Sequence, residues 1–389
     1  EKSHRLTMKA LNQRHPYDVA HILKAYGEQF LAQHRLCPDQ MKAFRAILKC
    51  RTAAMGGHMD RCGNCDHSRI AYNSCRNRSC NKCQFIKQLV WVDQLKAKLP
   101  VCRYFHMVFT IPSTLHKLFY LNQHLCYGLL FKATAETLQK VGANPKFLGA
   151  QTGAVAVLHT WGQALTYHPH IHMIIPAGGL SEDGTEWIHS RKNFFLPVKI
   201  LSRIFRGVLW SMLEKHIQSD TIKLPEDIPS CSALKKLLYQ KNWNVYAKKS
   251  LAGPQSVLRY LGRYTHRVAI SNSRIKAVEN GKVTIAWKDY RIDLKNRLLT
   301  MESEEFIGRF MRHVLPSGFY KIRYYGILAS ANTSKKQQCF ALINQPVYTS
   351  LLAGVSMREV LFIVTGKASD QCPKCKRGKM IPHTILDPV

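Results

Sequence analysis

Three histidines alternate within five positions of one apolar segment, YHPHIHMII at residues 167–175. Because successive side chains of a β-strand point to opposite faces, His168, His170 and His172 would share one face of such a strand. Imidazole is the commonest metal ligand among protein side chains, and two imidazoles two residues apart on a strand can reach one ion. We therefore interpret the segment as a metal-binding strand, in preference to a polar strand face whose histidines only make hydrogen bonds.

A second candidate metal site lies upstream, where CGNCDHSRIAYNSCRNRSCNKC spans residues 62–83. It contains two CxxC pairs, Cys62 with Cys65 and Cys80 with Cys83, separated by fourteen residues. Two pairs at this spacing are typical of a zinc ribbon, and four thiolates around one Zn²⁺ leave no coordination position for chemistry. We therefore expect a structural ion. Further donors that could replace a ligand or complete a second site are Cys50, His58, His67 and Cys75.

Near the C-terminus, CPKC at residues 372–375 is half of such a site. Without a second pair beside it, the motif is equally compatible with a zinc knuckle and with free thiols. His383 or a cysteine distant in the sequence could complete a knuckle that includes Cys372 and Cys375.

GPQSVLRYLGRYTHR at residues 253–267 predicts a helix that begins at its Gly-Pro pair. Tyr260 and Tyr264 are four residues apart, so their hydroxyls would project from one face of that helix. Taken alone, the pattern favours an aromatic core face beside a solvated basic one. Arginine, however, offers forked donors to phosphate oxygens and stays charged. Three arginines with the same spacing would form an adjacent stripe suited to a nucleic-acid backbone: Arg259, Arg263 and Arg267.

The histidine strand and the tyrosine helix together suggest one reaction. A metal ion on the histidines would polarise a phosphodiester, and a tyrosine hydroxyl would attack its phosphorus. The products would be a phosphotyrosine and a free 3′ hydroxyl, so the strand could be passed to another 3′ hydroxyl. Phenol has a pKa of about 10 in water, and a nearby cation with neighbouring arginines favours the phenolate. Two tyrosines would permit two such events in succession.

The composition is consistent with a nucleic-acid partner. Lysine and arginine number 57 against 24 aspartates and glutamates, a formal net charge of +33. An excess of this size indicates a polyanionic partner, and Arg76 and Arg78 of the cysteine module are further candidates for phosphate contact. The sequence has no run of eighteen apolar residues, which argues against a membrane as that partner.

The clustering of CxxC pairs among the 13 cysteines is typical of metal sites in a reducing cytosol and argues against a secreted disulfide protein.

The helices and strands that would position these groups follow from the periodicity of apolar residues. DVAHILKAYGEQFLAQH and PDQMKAFRAILKC predict two N-terminal helices, and FIKQLVWVDQLKAKL predicts a third after the cysteine module. CRYFHMVFTIP predicts the first strand of a new domain. AVAVLHTW and the histidine segment predict two further strands, antiparallel through the intervening GQA.

The second half of the chain is less regular in pattern. A basic connector is expected at 232–249, late strands at VAISNS, KVTIAW and YRIDL, and a helix at EEFIGRFMRHVL. The predicted class is therefore α+β, with a mixed core between a zinc-bound N-terminal domain and a helical C-terminal portion.

In combination, these motifs resemble one known family. YHPHIHMIIPAGGL, RYLGRYTHRVAIS and YNSCRNRSCNKCQ are similar to segments of the rolling-circle insertion-sequence transposases, the two-tyrosine branch of the HUH (His-hydrophobe-His) single-strand endonucleases. The likeness covers nearly the whole chain in the family's order of zinc module, histidine strand and tyrosine helix. One departure is Asn81 within CNKC, where the family usually has proline, and this changes the stiffness of the knuckle without changing its ligands.

The resemblance implies a fold and a division of the chain. The fold would be a five-stranded antiparallel sheet with flanking helices, preceded by a zinc-ribbon-like domain. The N-terminal helices and zinc domain would occupy residues 1–98, the nuclease domain 99–300, and a helical C-terminal region, which could include a zinc knuckle, 301–389.

The resemblance also implies roles for single residues. His170 and His172 would be the paired metal ligands, and Tyr260 and Tyr264 the nucleophiles. The family's third ligand is a Glu, His or Gln that varies in position.

For that third ligand we choose His159 in VLHTW, with Gln163 as the rival. His168 precedes Pro169 and is expected to orient substrate or to support a ligand. The implied catalytic ion is Mg²⁺ or Mn²⁺, and imidazole ligands favour tighter binding of Mn²⁺.

The implied activity is transposition by nicking and rejoining single-stranded DNA at hairpin-forming element ends, in the bacterial cytoplasm at the nucleoid. The first twenty residues also lack the apolar core of a signal peptide. A replication initiator or conjugative relaxase would use the same chemistry, but the cysteine module favours the transposase. An alternative of another class is a non-catalytic zinc-dependent DNA-binding protein whose histidine strand is a third structural site. The sequence leaves open the recognition sequence, the oligomeric state and which tyrosine attacks first.

Overall fold

Helices and strands are mixed along the chain, which confirms the predicted α+β class. The computed structural model describes residues 15–191, 195–251, 253, 256–258, 262, 269–288, 296–366 and 368–389. The helices are α1 (Val19–Gln33), α2 (Pro38–Lys49), α3 (Gln84–Lys96), α4 (His116–Leu121), α5 (Gln123–Gly142), α6 (Val198–Gln218), α7 (Cys231–Tyr239), α8 (Ser303–Met311), α9 (Thr333–Leu342) and α10 (Met357–Thr365). The strands are β1 (Gly57–Cys62), β2 (Ser68–Tyr72), β3 (Tyr104–Thr110), β4 (Gly153–Trp161), β5 (Tyr167–Pro176), β6 (Gly178–Leu180), β7 (Trp187–His189), β8 (Asn244–Leu251), β9 (Ile275–Glu279), β10 (Lys282–Lys288), β11 (Asn296–Glu302), β12 (Ile322–Gly326) and β13 (Met380–Leu386). Within these described residues, no helix is both long enough and apolar enough to cross a bilayer.

The central element is the predicted five-stranded antiparallel sheet. Its strand order is β12–β4–β5–β3–β8, and every neighbouring pair runs antiparallel. The predicted strands at CRYFHMVFTIP, AVAVLHTW and the histidine segment are its three middle strands, β3, β4 and β5. The short connection after Trp161 joins β4 to β5 as an antiparallel pair, as the sequence predicts.

One face of this sheet, the helix-packed face, is covered by α5 and α6. Phe105, Met107 and Phe109 of β3 point to it, together with Ile171 and Met173 of β5. All five side chains are at most 2 % exposed. Because burial of each such side chain stabilises the fold by roughly 1.5–3 kcal/mol, this face is the rigid foundation of the sheet.

The opposite face, the histidine face, is apolar over one part and lined with imidazoles over the other. The apolar part is a buried cluster that includes Leu95, Leu99, Tyr104, Val155, Val157, Ile174, Val257 and Leu258. The imidazoles belong to His106, His159, His170 and His172. Strand alternation places the histidines and these apolar side chains on one face, since residues two apart in a strand point the same way.

A second body is built from residues far apart in the sequence. The N-terminal helices α1 and α2 pack with α8 and with the three-stranded sheet β9–β10–β11. Proline at the first turn of α2 begins that helix, as predicted from its fixed φ and missing N–H. The shared apolar cluster includes Ile22, Phe30, Phe44, Ile285 and Phe306.

A small sheet joins β1, at the start of the cysteine module, to β13, the last strand of the described chain. β1 pairs with β2 in a hairpin and with β13 on its other side, and both pairings are antiparallel. The C-terminal strand is therefore part of the same sheet as the start of the cysteine module.

Three sequence-based assignments differ from the structure. The region expected to be helical after residue 300 contributes β12 to the central sheet and β13 to the small sheet. The expected basic connector at 232–249 contains α7 and most of β8, the edge strand beside β3. Of the predicted strand VAISNS, the described part is a turn with a 3₁₀ segment at Asn272–Arg274. Short strands that pair with distant partners carry little local signal, because strand preference depends on the partner.

The assignment of Arg78 to DNA contact also requires correction. Its guanidinium donates hydrogen bonds to the backbone carbonyls of Leu315, Pro316 and Phe319, and the distance from Nη2 to the Leu315 oxygen is 2.8 Å. A half-buried guanidinium directed at three carbonyls of the segment after α8 is a structural clamp and is not presented to phosphate. Arg76, two residues earlier, is exposed.

The clamp predicts that Arg78→Lys destabilises the protein. An ammonium is a single point donor and cannot reproduce the forked contacts, so the free energy of unfolding should fall by about 2 kcal/mol. Arg76→Lys is the matched control, with an expected change within about 0.5 kcal/mol. Denaturant unfolding of the two variants measures this. Equal stability of both variants, with weaker DNA binding by Arg78→Lys alone, would restore the phosphate-contact role.

A buried histidine makes stability depend on pH. His313 is 1 % exposed, its Nε2 donates to the Leu165 carbonyl at 3.1 Å, and its Nδ1 accepts from the Thr160 hydroxyl at 3.1 Å. Burial lowers the pKa of His313 to about 4 from its ordinary value of 6.5. The unfolded chain therefore binds this proton more readily than the folded chain does between these two pH values.

We expect the His313 contribution to stability to be complete above pH 6.5 and to be lost as the pH falls towards 4. The loss should reach roughly 3 kcal/mol at the acid end. His313→Gln, which keeps a donor for Leu165 but does not titrate, should show a shallower decline of unfolding free energy over this interval. His189→Gln at an exposed position should follow the wild-type curve. Parallel curves for the wild type and His313→Gln would contradict this account.

Candidate functional site

Three histidines from two paired strands converge on the histidine face. His159 of β4 lies opposite His170 of β5, and His172 follows two residues later on the same strand. One ring nitrogen from each of the three lies within 4.8 Å of the others. A single ion at about 2.1 Å from each nitrogen spans nitrogens up to about 4.2 Å apart, so small side-chain rotations would complete such a site. His159 is 3 % exposed and His170 is 9 % exposed.

Each of the two β5 histidines makes a hydrogen bond through its Nδ1 atom. Nδ1 of His170 lies 2.6 Å from the carbonyl oxygen of His168, and since a carbonyl only accepts, Nδ1 carries the proton. Nε2 of His170 then has the lone pair that a metal needs. Nδ1 of His172 lies 2.8 Å from Nε2 of His106 on the neighbouring strand β3. In the tautomer whose Nδ1–H donates to His106, the lone pair of the His172 ring is on Nε2.

Burial keeps the imidazoles of His170 and His172 neutral at pH 7. Burial lowers the pKa of His170 to about 4, and burial together with the neighbouring His159 and His170 rings lowers the pKa of His172 well below 6.5. The neutral ring is the form that binds a metal. Neutral, closely spaced nitrogens without a carboxylate among them suit borderline divalent ions such as Zn²⁺ or Fe²⁺, and of the two ions that the resemblance implies they favour Mn²⁺ over Mg²⁺.

The rival and accessory residues lie around this group. Gln163 follows the end of β4, in the connection to β5, whereas His159 lies within the strand beside the other two histidines. The ring of Trp161 stacks on His159, with centroids 4.7 Å apart. His168 is half-buried, and its ring meets that of His116 edge-on at 5.6 Å. His168 thus contributes its backbone carbonyl to the orientation of His170.

His106 was missed in the sequence, although the signal was present. It is one polar residue in the otherwise apolar and hydroxyl-bearing strand YFHMVFT. Its contact with His172 depends on β3 lying next to β5, with His106 opposite Ile174, and that pairing cannot be read from either segment alone.

The predicted nucleophiles and the predicted arginine stripe, Tyr260, Tyr264, Arg259, Arg263 and Arg267, lie outside the described residues. Their described neighbours are on the histidine face. Val257 is completely buried and Leu258 is 5 % exposed, and both belong to the apolar cluster of that face. A Cβ atom on Gly262 would lie 3.2 Å from Cγ2 of Val92, so the chain at Gly262 runs against α3.

The structure groups the cysteines differently from the sequence-based prediction. Cys62, Cys65, Cys80 and Cys83 do not surround one point. The first pair lies with Cys372 and Cys375, and the second pair lies with Cys50 and Cys75, each set within 4.8 Å between sulfurs. The β1–β2 hairpin is the reason, because Tyr72 at the end of β2 lies opposite Gly57 at the start of β1. The chain that follows β2 therefore lies near the start of β1, whereas Cys62 is at the end of β1.

Both groups have thiols at distances suited to one ion each. The Cys62–Cys375 and Cys65–Cys372 sulfur pairs are each 3.7 Å apart. Four sulfurs at 2.3 Å from a tetrahedral zinc ion lie about 3.8 Å from one another. In the other group, the sulfur of Cys83 is 3.2 Å from that of Cys50 and 3.6 Å from that of Cys75. All 13 cysteines are free thiols.

Comparison with known proteins identifies two domains in the chain. Residues 22–111 match the family model described as "Transposase zinc-binding domain", and residues 153–337 match the model described as "Putative transposase". The first model contains the β1–β2 hairpin and the Cys50 group, and a structural Zn²⁺ follows from it and from the cysteine groups. The second contains β4, β5 and the three converging histidines.

Two curated relatives extend over most of the chain. It is 44 % identical over 382 residues to "Putative transposase y4qJ" of Sinorhizobium fredii, with 96 % of each chain covered. It is 29 % identical over 319 residues to "Transposase for insertion sequence element IS801" of Pseudomonas savastanoi pv. phaseolicola, covering 80 % of this chain and 73 % of the relative. No solved structure matches. The chain therefore belongs to the rolling-circle-type family of insertion-sequence transposases, whose zinc-binding domain precedes the transposase domain.

Proposed function

We propose that this transposase nicks and rejoins single-stranded DNA at the ends of its element through 5′-phosphotyrosine intermediates, as HUH endonucleases do. The observation that supports this most is the convergence of His159, His170 and His172 on one face of the sheet. The same face buries Val257 and Leu258, which lead into the tyrosine segment. The chain that leads towards the two tyrosines is thus buried on the face that carries the imidazoles.

The histidines have the donor set for the ion that this chemistry uses. A divalent ion, Mg²⁺ or Mn²⁺, held by the three imidazoles would neutralise charge that develops on the scissile phosphate. The His168 carbonyl holds His170 in the ligating tautomer, and the hydrogen bond to His106 orients the ring of His172. The stacked ring of Trp161 restricts rotation of His159.

The tyrosines perform the covalent steps. The phenolic oxygen of Tyr260 or Tyr264 attacks phosphorus and loses its proton to solvent, the phosphorus–O3′ bond breaks, and the leaving 3′ oxygen takes up a proton. In the second step a 3′ hydroxyl of another strand attacks the phosphotyrosine, and the tyrosine regains its proton. A second tyrosine lets one chain hold two 5′ ends in turn.

The positive charge of the chain serves DNA binding. The net charge of +33 makes binding to a phosphate backbone strongly dependent on salt. Arg259, Arg263 and Arg267 on the predicted tyrosine helix, with exposed Arg76 of the zinc domain, are the proposed phosphate contacts.

A covalent adduct tests the proposal directly. Single-stranded oligonucleotides that tile both element ends, labelled at the 3′ terminus, should become linked to the protein in Mn²⁺ and survive a denaturing gel. The double variant Tyr260→Phe/Tyr264→Phe should form no adduct, and His170→Ala or His172→Ala should reduce its rate by roughly 100-fold. Tyr246→Phe is the matched control, since Tyr246 is an exposed tyrosine on the edge strand β8.

The outcome also separates the alternatives. Adduct formation by wild type and Tyr246→Phe, and its loss in the double variant, agrees with the proposal. Cleavage that releases both fragments free would indicate hydrolysis by water. DNA binding without any cleavage would indicate the non-catalytic DNA-binding protein.

His106 is expected to act as a positioning residue for His172. His106→Phe removes the hydrogen bond to Nδ1 of His172 while keeping an aromatic ring in the strand, and should weaken Mn²⁺ binding about 10- to 100-fold. His106→Gln, which retains a side-chain amide near the same place, should recover most of the affinity. Titration of free Mn²⁺ by electron paramagnetic resonance measures both variants. Equal affinities for wild type and His106→Phe would show that the contact does not orient the ligand.

A further inference from the structure

We propose that Cys62, Cys65, Cys372 and Cys375 bind a second zinc ion that closes the C-terminal segment onto the N-terminal zinc-binding domain. The zinc-binding domain match ends at residue 111, so it does not include the CPKC pair. This site is independent of the proposed nicking chemistry, because it uses none of the histidine-face residues.

Backbone geometry at the four sulfurs is that of two opposed zinc knuckles. The backbone N–H of Asn64 donates to the sulfur of Cys62, and that of Gly378 donates to the sulfur of Cys375, each at 3.3 Å. Such donors stabilise the thiolate form, which is the form that binds zinc.

The two cysteine loops can lie this close together only because residue 378 has no side chain. A Cβ atom on Gly378 would lie 2.5 Å from the sulfur of Cys62 and 2.7 Å from the Cβ of Asn64. The backbone N–H of Gly63 donates to the Lys379 carbonyl at 3.1 Å, which ties the two loops together beside the sulfurs. The CPKC segment is therefore fitted against the CGNC segment and is not a detached pair of thiols.

Little else holds this small sheet together. Among the described residues its apolar cluster consists of Cys62, Cys372 and Met380, with Cys65 and Cys375 packed against them. Two apolar residues of β13 face solvent instead, Ile381 at 57 % exposure and Ile385 at 83 %. A three-stranded sheet with so small a core requires another source of stability, and a structural metal supplies it.

The site is separate from the Cys50 group. The hairpin places the two groups at opposite ends of β1, a strand six residues long, so one ion cannot serve both. Strands rise about 3.3 Å per residue, which puts the groups roughly 15–20 Å apart. The chain therefore has donors for two ions.

Closure by zinc would also secure the segment that precedes CPKC. Asp93 of α3 accepts hydrogen bonds from the hydroxyls of Tyr348 and Ser350 and from the backbone N–H of Leu352. Val360 and Val364 of α10 pack with Ile86, Leu89 and Val90 of α3. Gln88 and Val92 of the same helix contact Gly262, within the tyrosine segment. The second ion thus anchors the C-terminal segment against α3, the helix that lies beside Gly262.

Metal content of the purified full-length protein tests the inference. Elemental analysis should give two zinc ions per chain for wild type and one for Cys372→Ser/Cys375→Ser. Cys50→Ser/Cys75→Ser should also retain one. The control Cys37→Ser/Cys231→Ser, at two cysteines outside both groups, should retain two. Cys375→His keeps a zinc donor, so it should retain both ions, and its cobalt-substituted form should differ in visible absorption from the wild type.

Hydrogen exchange provides the second readout. In Cys372→Ser/Cys375→Ser the amides of β1, β13 and α3 should exchange at least about tenfold faster, while those of β3 and β5 are unchanged.

One zinc ion in wild type that survives Cys372→Ser/Cys375→Ser would overturn the inference in favour of the linear set Cys62, Cys65, Cys80 and Cys83. Loss of both ions in that variant would contradict two independent sites. A wild-type mass 4 Da below that of the reduced chain, with one zinc ion, would indicate two disulfides instead.

Discussion

The candidate site depends on the register between β4 and β5. Antiparallel pairing sets His159 opposite His170 and Val157 opposite His172, so three imidazoles share one face next to an apolar patch. A slip of one residue would turn one strand's histidines into the opposite face, because side chains alternate along a strand. The helix-packed face prevents this slip, since Leu158, Ile171 and Met173 are each at most 1 % exposed beneath α5 and α6.

Burial shapes the chemistry of the histidines as well as their position. A buried imidazole resists protonation, and the pKa of His170 falls to about 4 for this reason. The His170 and His172 rings stay neutral over the physiological pH range, the His168 carbonyl fixes the proton of His170 on Nδ1, and His106 orients His172. A surface cluster of the same residues would titrate near its ordinary value and rotate freely, so it would be a weaker metal site.

The cysteine groups stabilise a part of the fold that apolar packing alone does not hold. The apolar cluster of the β13–β1–β2 sheet is too small to hold it, whereas the central sheet is held by apolar packing on one whole face. Thiolate–metal bonds suit such a small module because their free energy contributes directly to folding. Attachment of β13 to β1 also brings the C-terminal segment against α3, which links the zinc-binding domain to the region beside Gly262.

Part of this protein was determined by the sequence alone. The alternation HPHIH, the two CxxC pairs and the positive charge each depend on local spacing or on composition. They predict the α+β class, the middle strands of the sheet and metal-binding cysteines, whereas the transposase with a zinc-binding domain follows from the resemblance of the combined motifs to a known family. The preference for His159 over Gln163 as third ligand stays a prediction. Local patterns suffice here because a strand or a CxxC turn is defined by residues a few positions apart.

Only the tertiary structure decided which distant residues meet. The partners of Cys62 and Cys65 are more than 300 residues away, at Cys372 and Cys375, because β13 pairs with β1. Likewise, Arg78 binds carbonyls after α8 instead of phosphate, and His106 reaches His172 because β3 lies beside β5. Spacing in the sequence cannot specify such contacts. A hairpin reverses the chain, so the CxxC pair that is nearest in the sequence can lie at the opposite end of the strand.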